Sequence, residues 1–117
     1  MIKFTILLRR KKDMSLEDFI WYHKHNHAPL FTSLPEVREN VRRYTQCHSL
    51  NVTMPGLPAP EYDGITELWF DDVDAIGKVF NSKPYMEIIR PDEEKFLDMY
   101  SCSFLITIEN PVSIDMG

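Results

Sequence analysis

The feature that most constrains this chain is a pair of short segments near its two ends that are apolar on both faces of a strand. In residues 4–8, Phe4, Ile6 and Leu8 alternate with Thr5 and Leu7; in residues 102–108, Cys102, Phe104, Ile106 and Ile108 alternate with Leu105 and Thr107. Successive strand side chains point to opposite faces. A sheet covered by helices on one side and by water on the other alternates more cleanly than this. Both faces of the sheet therefore need cover, and the remaining sequence holds helices enough for one.

The rest of the chain fills in around these strands. Residues 2–9 read as the first strand, and Ser15 with Asp18 three positions later marks a helix start. That helix is expected to end or kink near Pro29, whose ring removes a backbone donor. Residues 41–50 and 64–70 read as two further strands, joined by the proline-rich MPGLPAP loop at 54–60. Asp71 or Asp72 caps a helix that runs to about Phe80. A helical region over 84–100 is broken at Pro91, and 101–109 is the last strand. The order strand, helix, strand, strand, helix, strand, with a weak internal twofold, predicts an α+β, ferredoxin-like βαββαβ fold. Its four-stranded antiparallel sheet carries helices on one face. The other face is expected to pack against a second copy, giving a homodimer with sheets face to face. Residues 1–110 form a single domain and 111–117 a tail.

Composition narrows the function. The net charge is −5, and the only dense basic cluster is Arg9-Arg10-Lys11-Lys12, which reads as a solvated turn, so no nucleic-acid partner is expected. No apolar run reaches membrane-spanning length and no signal-peptide pattern is present, which points to no membrane partner and a cytoplasmic setting. The four glycines form neither GxGxxG nor a P-loop. Cys47 and Cys102 show no CxxC spacing and read as buried thiols.

Three of the four histidines fall in WYHKHNHAP, residues 21–29. At about 100° per residue, His23 and His27 lie within the apolar stripe of the helix, one turn apart, and His25 points away beside Trp21. Three readings of the inward pair stay open. They are hydrogen-bonded core residues, two ligands of a metal site lacking a third, or titratable groups facing a cavity. On the second strand Arg42, Tyr44, Gln46 and His48 share one face, too polar for plain core packing. On the third, Glu67 lies between Ile65 and Trp69, either paired with a cation or acting as an acid or base.

Phe19, His27-Ala28-Pro29-Leu30, Arg43-Tyr44 with His48, and Asp63-Gly64 before Glu67-Leu68-Trp69-Phe70 together resemble the EthD family of dimeric α+β-barrel proteins. The resemblance implies a small-molecule cavity between helices and sheet and chemistry that needs no cofactor: an isomerase, decarboxylase or cyclase acting on a small carbonyl, phenolic or lactone compound. It makes His27 the first choice for a general acid or base, with Tyr44 and His48 as partners. His23, Phe19, Tyr22, Glu67 and Trp69 are the candidates to bind substrate, Glu67 also to position His27. No metal ligands are assigned. A non-catalytic ligand-binding accessory protein, or a haem- or metal-binding oxidoreductase, are the alternatives. His23 stands where such sequences commonly carry an aromatic ring, which makes this cavity the more polar one.

Overall fold

The structure is a computed structural model and describes residues 1–115; the last two positions of the tail lie outside the described residues. Four strands, β1 (Ile2–Leu8), β2 (Val41–His48), β3 (Gly64–Phe70) and β4 (Ser103–Thr107), form one antiparallel sheet in the order β2-β3-β1-β4. This is the ferredoxin-like arrangement expected from the element order. The helices are α1 (Leu16–Tyr22), α2 (Ala28–Thr32), α3 (Pro35–Asn40), α4 (Val73–Phe80) and α5 (Arg90–Glu93). They pack on one face of the sheet.

Local chemistry sets the helix starts. The Ser15 hydroxyl accepts the Asp18 amide at 3.0 Å, and the Asp72 carboxylate accepts the Ala75 amide at 2.9 Å, so each satisfies an N–H that the first turn leaves open. Of the two candidate aspartates, Asp72 is thus the cap, and Asp71 pairs with Arg42 at 2.7 Å.

Pro29 does not end the first helix. A π-helical turn at His23–His27 joins α1 to α2, with the Ala28 amide reaching back to the His23 carbonyl, and Pro29 sits in the first turn of α2. There the missing N–H is least costly. A second π turn at Tyr85–Ile89 leads into α5, with the Arg90 amide bonded to the Tyr85 carbonyl and Pro91 in the first turn. Each proline thus follows the end of a π turn by two residues, so the internal twofold extends to a backbone irregularity. Such turns recur at functional sites. α3 is a helix that the sequence pattern did not reveal; it starts at Pro35.

Register decides what faces the helices. Across the sheet, Gln46, Thr66, Ile6 and Phe104 form one row, and Tyr44, Leu68, Phe4 and Ile106 the next. These rows face inward, where Leu68, Phe70, Val79, Ile89, Phe19 and Phe96 are buried. The opposite face carries Lys3, Thr5, Leu7, Thr45, Ile65, Glu67, Trp69 and Leu105. A bulge between Val41 and Arg43 makes Arg42 the extra residue. Arg42 therefore leaves the inward face that strand alternation assigned to it, and Arg43 lies over the Trp69 ring at 4.6 Å on the outer face. Cys47 and Cys102 are free thiols, but neither is buried as expected: Cys102 is half-buried, and Cys47 is exposed because it too points outward.

Candidate functional site

His23 and His27 both project inward from the first π turn and are almost wholly buried, whereas His25 is exposed with its ring 5.2 Å from that of Trp21. The His27 ring lies 5.9 Å from that of His23 and 5.0 Å from that of Phe96. Its Nδ1 is 2.8 Å from Asp92 Oδ2. Burial holds the His27 pKa below the usual imidazole value, against the opposing pull of Asp92. The ring is therefore neutral at pH 7, donates Nδ1–H to the carboxylate, and keeps its proton-accepting lone pair on Nε2. Among the described residues nothing hydrogen-bonds to that nitrogen. Tyr22 donates its hydroxyl to the other oxygen of Asp92 at 2.5 Å, so the carboxylate is held from two sides.

His23 is differently engaged. Its Nδ1 meets His48 Nε2 at 2.9 Å and its Nε2 meets Thr66 Oγ1 at 3.3 Å, so both ring nitrogens are occupied. Gln46 donates to the His23 carbonyl at 2.9 Å, which the π turn leaves accessible, and to the Tyr44 hydroxyl at 2.8 Å. Burial, reinforced by repulsion from His27 and His48, lowers the His23 pKa to about 3.

Beneath these rings lies a hollow of about 20 Å³, room for one water, walled by His23, His27, Tyr44, Thr66, Glu93 and Phe96 among others. Ile6, Phe80, Glu93 and Leu97 separate it from a larger cavity of about 330 Å³ that runs toward β4 between Phe4, Tyr85, Met99 and Phe104. Glu93 stands at the junction. Burial raises its pKa to about 7, with the neighbouring Asp92 and Glu94 adding to the shift and Tyr85 and Arg90 opposing it. Tyr85 donates its hydroxyl to Glu93 Oε1. Burial and then the Glu93 charge also raise Tyr44, to about 12, despite the opposing Gln46 hydrogen bond.

The sequence-derived candidates divide accordingly. His27, His23 and Tyr44 come together around the hollow. His48 is half-buried at the end of the sheet and bonds His23, so it reaches His27 only through that ring. Phe19 is fully buried, stacked on His23 at 5.8 Å and packed on Phe96, and serves the core. Tyr22 holds Asp92. Glu67 and Trp69 stand apart from this group: β3 alternation puts them on the outer face of the sheet. There Glu67 pairs with Lys3 at 2.8 Å and Trp69 donates its indole N–H to Glu109. The carboxylate that positions His27 is Asp92. Sequence reading missed Asp92, Glu93 and Tyr85, because an acidic run after a proline looks like a solvated helix face. The available signal was the parallel between the two proline-terminated segments, 23–29 and 85–91.

Among the described residues no group of three or more His, Cys, Asp or Glu side chains converges as a metal site. Nor is any helix long and apolar enough to cross a membrane.

Comparison with known proteins gives the same fold. A crystal structure of an ethyl tert-butyl ether D (EthD) family protein from Bacillus halodurans C-125 matches with a TM-score of 0.69 at 17% identity, over 94% of this chain and 99% of that one. An EthD-like protein from Ralstonia eutropha JMP134 matches at 0.67 and 16%, over 91% and 88%. A dimeric ferredoxin-like protein of unknown function from Thermobifida fusca YX matches at 0.60 and 16%, over 91% and 88%. No curated protein matches the chain. The family model for the EthD domain matches residues 11–99, and the chain belongs to the EthD family.

Proposed function

We propose that the protein is a cofactor-independent acid–base enzyme of the isomerase, decarboxylase or cyclase type, acting on a small carbonyl, phenolic or lactone compound. The observation that carries this reading is the His27–Asp92 pair: a buried, neutral imidazole with Nδ1–H tied to a carboxylate and Nε2 left to accept a proton. Glu93, titrating near neutrality on the wall that the two cavities share, is the complementary acid. Two groups whose environments push their proton affinities apart make a natural base and acid. The substrate body would occupy the larger cavity, with its reacting carbon and oxygen at the Glu93 junction. His27 would then take a proton from carbon while Glu93 protonates oxygen, and Tyr44 would orient the polar end.

The test is a screen of enolisable ketones, phenols and lactones against the wild-type protein, with every hit repeated on His27→Gln. Loss of turnover by two or more orders of magnitude in the variant supports the assignment; unchanged turnover removes it.

A second copy of the chain is proposed to cover the outer face of the sheet. Leu7, Ile65 and Leu105 lie there partly or fully exposed, and structural neighbours are dimeric proteins of this fold.

The one-water size of the hollow supports a second reading, a ligand-binding accessory protein in which His27 only shapes the cavity floor. Native mass spectrometry would favour it if a small molecule co-purified and stayed unchanged on incubation.

A further inference from the structure

His23 and His48 are two of the imidazoles left unused by the proposed base and acid, and their geometry forms a continuous path. Thr66 lines the hollow that His27 and Glu93 also line. From its hydroxyl the chain runs 3.3 Å to His23 Nε2, across that ring, and 2.9 Å from His23 Nδ1 to His48 Nε2. His48 is half-buried and lines an open cavity of about 360 Å³ beside Ser49, Glu61 and Tyr62 at the sheet end. The path therefore leads from a small hollow among buried side chains to a space that meets solvent. Its middle member cannot drift. Gln46 grips the His23 carbonyl, while Phe19 and Phe96 lie 5.8 and 5.6 Å from its ring.

We propose that Thr66, His23 and His48 form a proton wire between the buried hollow and bulk water, with His48 as the exchange point. A structural histidine needs one good hydrogen bond; His23 has one at each nitrogen, and they point to opposite ends of the path. In the resting state the Thr66 hydroxyl donates to His23 Nε2, and His23 Nδ1–H donates to His48 Nε2. Thr66 passes its hydroxyl proton to Nε2 while taking another from an acid in the hollow, and the Nδ1 proton moves to His48. That imidazolium then releases its own Nδ1 proton to water, leaving both rings neutral with their tautomers exchanged. The reverse hop brings one proton inward and restores them. Because His23 is so hard to charge, the two transfers across it occur together, without a resident imidazolium. His48, facing water and flanked by Lys24, carries the charge only in passing.

The wire would serve the acid–base reading by resupplying protons to a buried site, but its existence does not depend on that reading. The test reads proton exchange, so the two fail separately. In intact protein labelled with 15N-histidine, the solvent exchange of the His23 ring N–H is measured by NMR in wild type, His48→Gln and His48→Ala. Glutamine keeps an acceptor for His23 Nδ1–H but cannot pass a proton on. The expected results are at least tenfold slower exchange in His48→Gln at unchanged melting temperature, and slow exchange in His48→Ala that added imidazole restores in a saturable manner. Wild-type exchange in His48→Gln, or a His48→Ala protein indifferent to imidazole, overturns the proposal. If His48→Gln does not fold, the imidazole response of His48→Ala decides alone.

Discussion

His27 and Asp92 come from helical segments in opposite halves of the chain, and their side chains meet at 2.8 Å, Nδ1 to Oδ2. The contact joins the two π turns: one presents the imidazole, and the other precedes the short helix that presents the carboxylate. Asp92 opposes the effect of burial on His27. Asp92→Asn should therefore lower the His27 pKa further, read as a protonation-dependent change in chemical shift that sets in at lower pH in a 15N imidazole titration. Asp92→Ala, which orphans both the His27 and the Tyr22 donors, should cost about 1–3 kcal/mol for each in denaturant melts.

His23 supplies a second pH dependence that also originates in burial. Its ordinary pKa of 6.5 falls to about 3 in the fold because the buried ring resists charge. Below 6.5 the unfolded chain binds the extra proton and the folded one does not, so stability declines as pH drops toward 3. His23→Phe removes that proton. Its stability relative to wild type should rise on acidification, by up to about 1.4 kcal/mol per pH unit within this window. Parallel stability curves for the two proteins would contradict the assignment.

Strand and helix periodicity made much of this legible. The inward placement of His23 and His27 and the outward turn of His25 follow from helical spacing, and they survive the π turn because a residue four positions on still overlies the same face. The shared face of Tyr44, Gln46 and His48 follows from alternation. Alternation also put Glu67 and Trp69 correctly on one face, but it could not say which face meets the helices. Thr66, Leu68 and Phe70 were the inward set, yet Ile65 and Trp69 are as apolar. The reading of Glu67 as a partner of His27 rests on that ambiguity. Arg42 was misplaced by one inserted residue, because no sequence signal marks a bulge between Val41 and Arg43. Glu93 was illegible for a different reason: its burial depends on a second π turn and on Tyr85, which is eight residues away.

Gly64 permits the close approach of β3 to the β2 backbone and to the Phe19 ring. A Cβ at this position would lie 2.9 Å from the Cys47 carbonyl oxygen, and 3.5 and 3.6 Å from the rings of Phe19 and His48. The backbone oxygen cannot swing aside as a side chain would. Gly64→Ala should destabilise the protein by about 1–3 kcal/mol and perturb the His48 ring resonances before those of His27.

The outer sheet face gives an association test. If a second copy covers Ile65 and Leu105, Ile65→Glu places a charge in that apolar contact, where desolvation makes it costly. Light scattering should then find a dimer for wild type and a monomer for Ile65→Glu, with the near-neutral titration of Glu93 unaltered. A monomeric wild type at micromolar concentration would remove the dimer from the proposed function.

Glu93 should make the wild-type protein less stable as pH rises through neutrality. Its carboxyl group has an ordinary pKa of 4.5 and a folded value of about 7. Between these values the folded state holds a proton that the unfolded chain has released. Stability from this group therefore falls as pH climbs from 4.5 to 7 and is fully lost above. His23, His27 and His48 act with the opposite sign below 6.5, so the Glu93 contribution is best isolated by difference. Glu93→Gln keeps an oxygen to accept the Tyr85 hydroxyl and carries no titrating proton. Relative to wild type it should gain on the order of 2–3 kcal/mol between pH 5 and pH 8, measured by urea unfolding at each pH. The same substitution deletes the proposed acid, so a hit from the substrate screen should lose turnover in Glu93→Gln even as the fold becomes more robust at pH 8. A variant that gained stability but kept full turnover would leave Glu93 as a buried carboxyl group alone and move the acid's role to Tyr44.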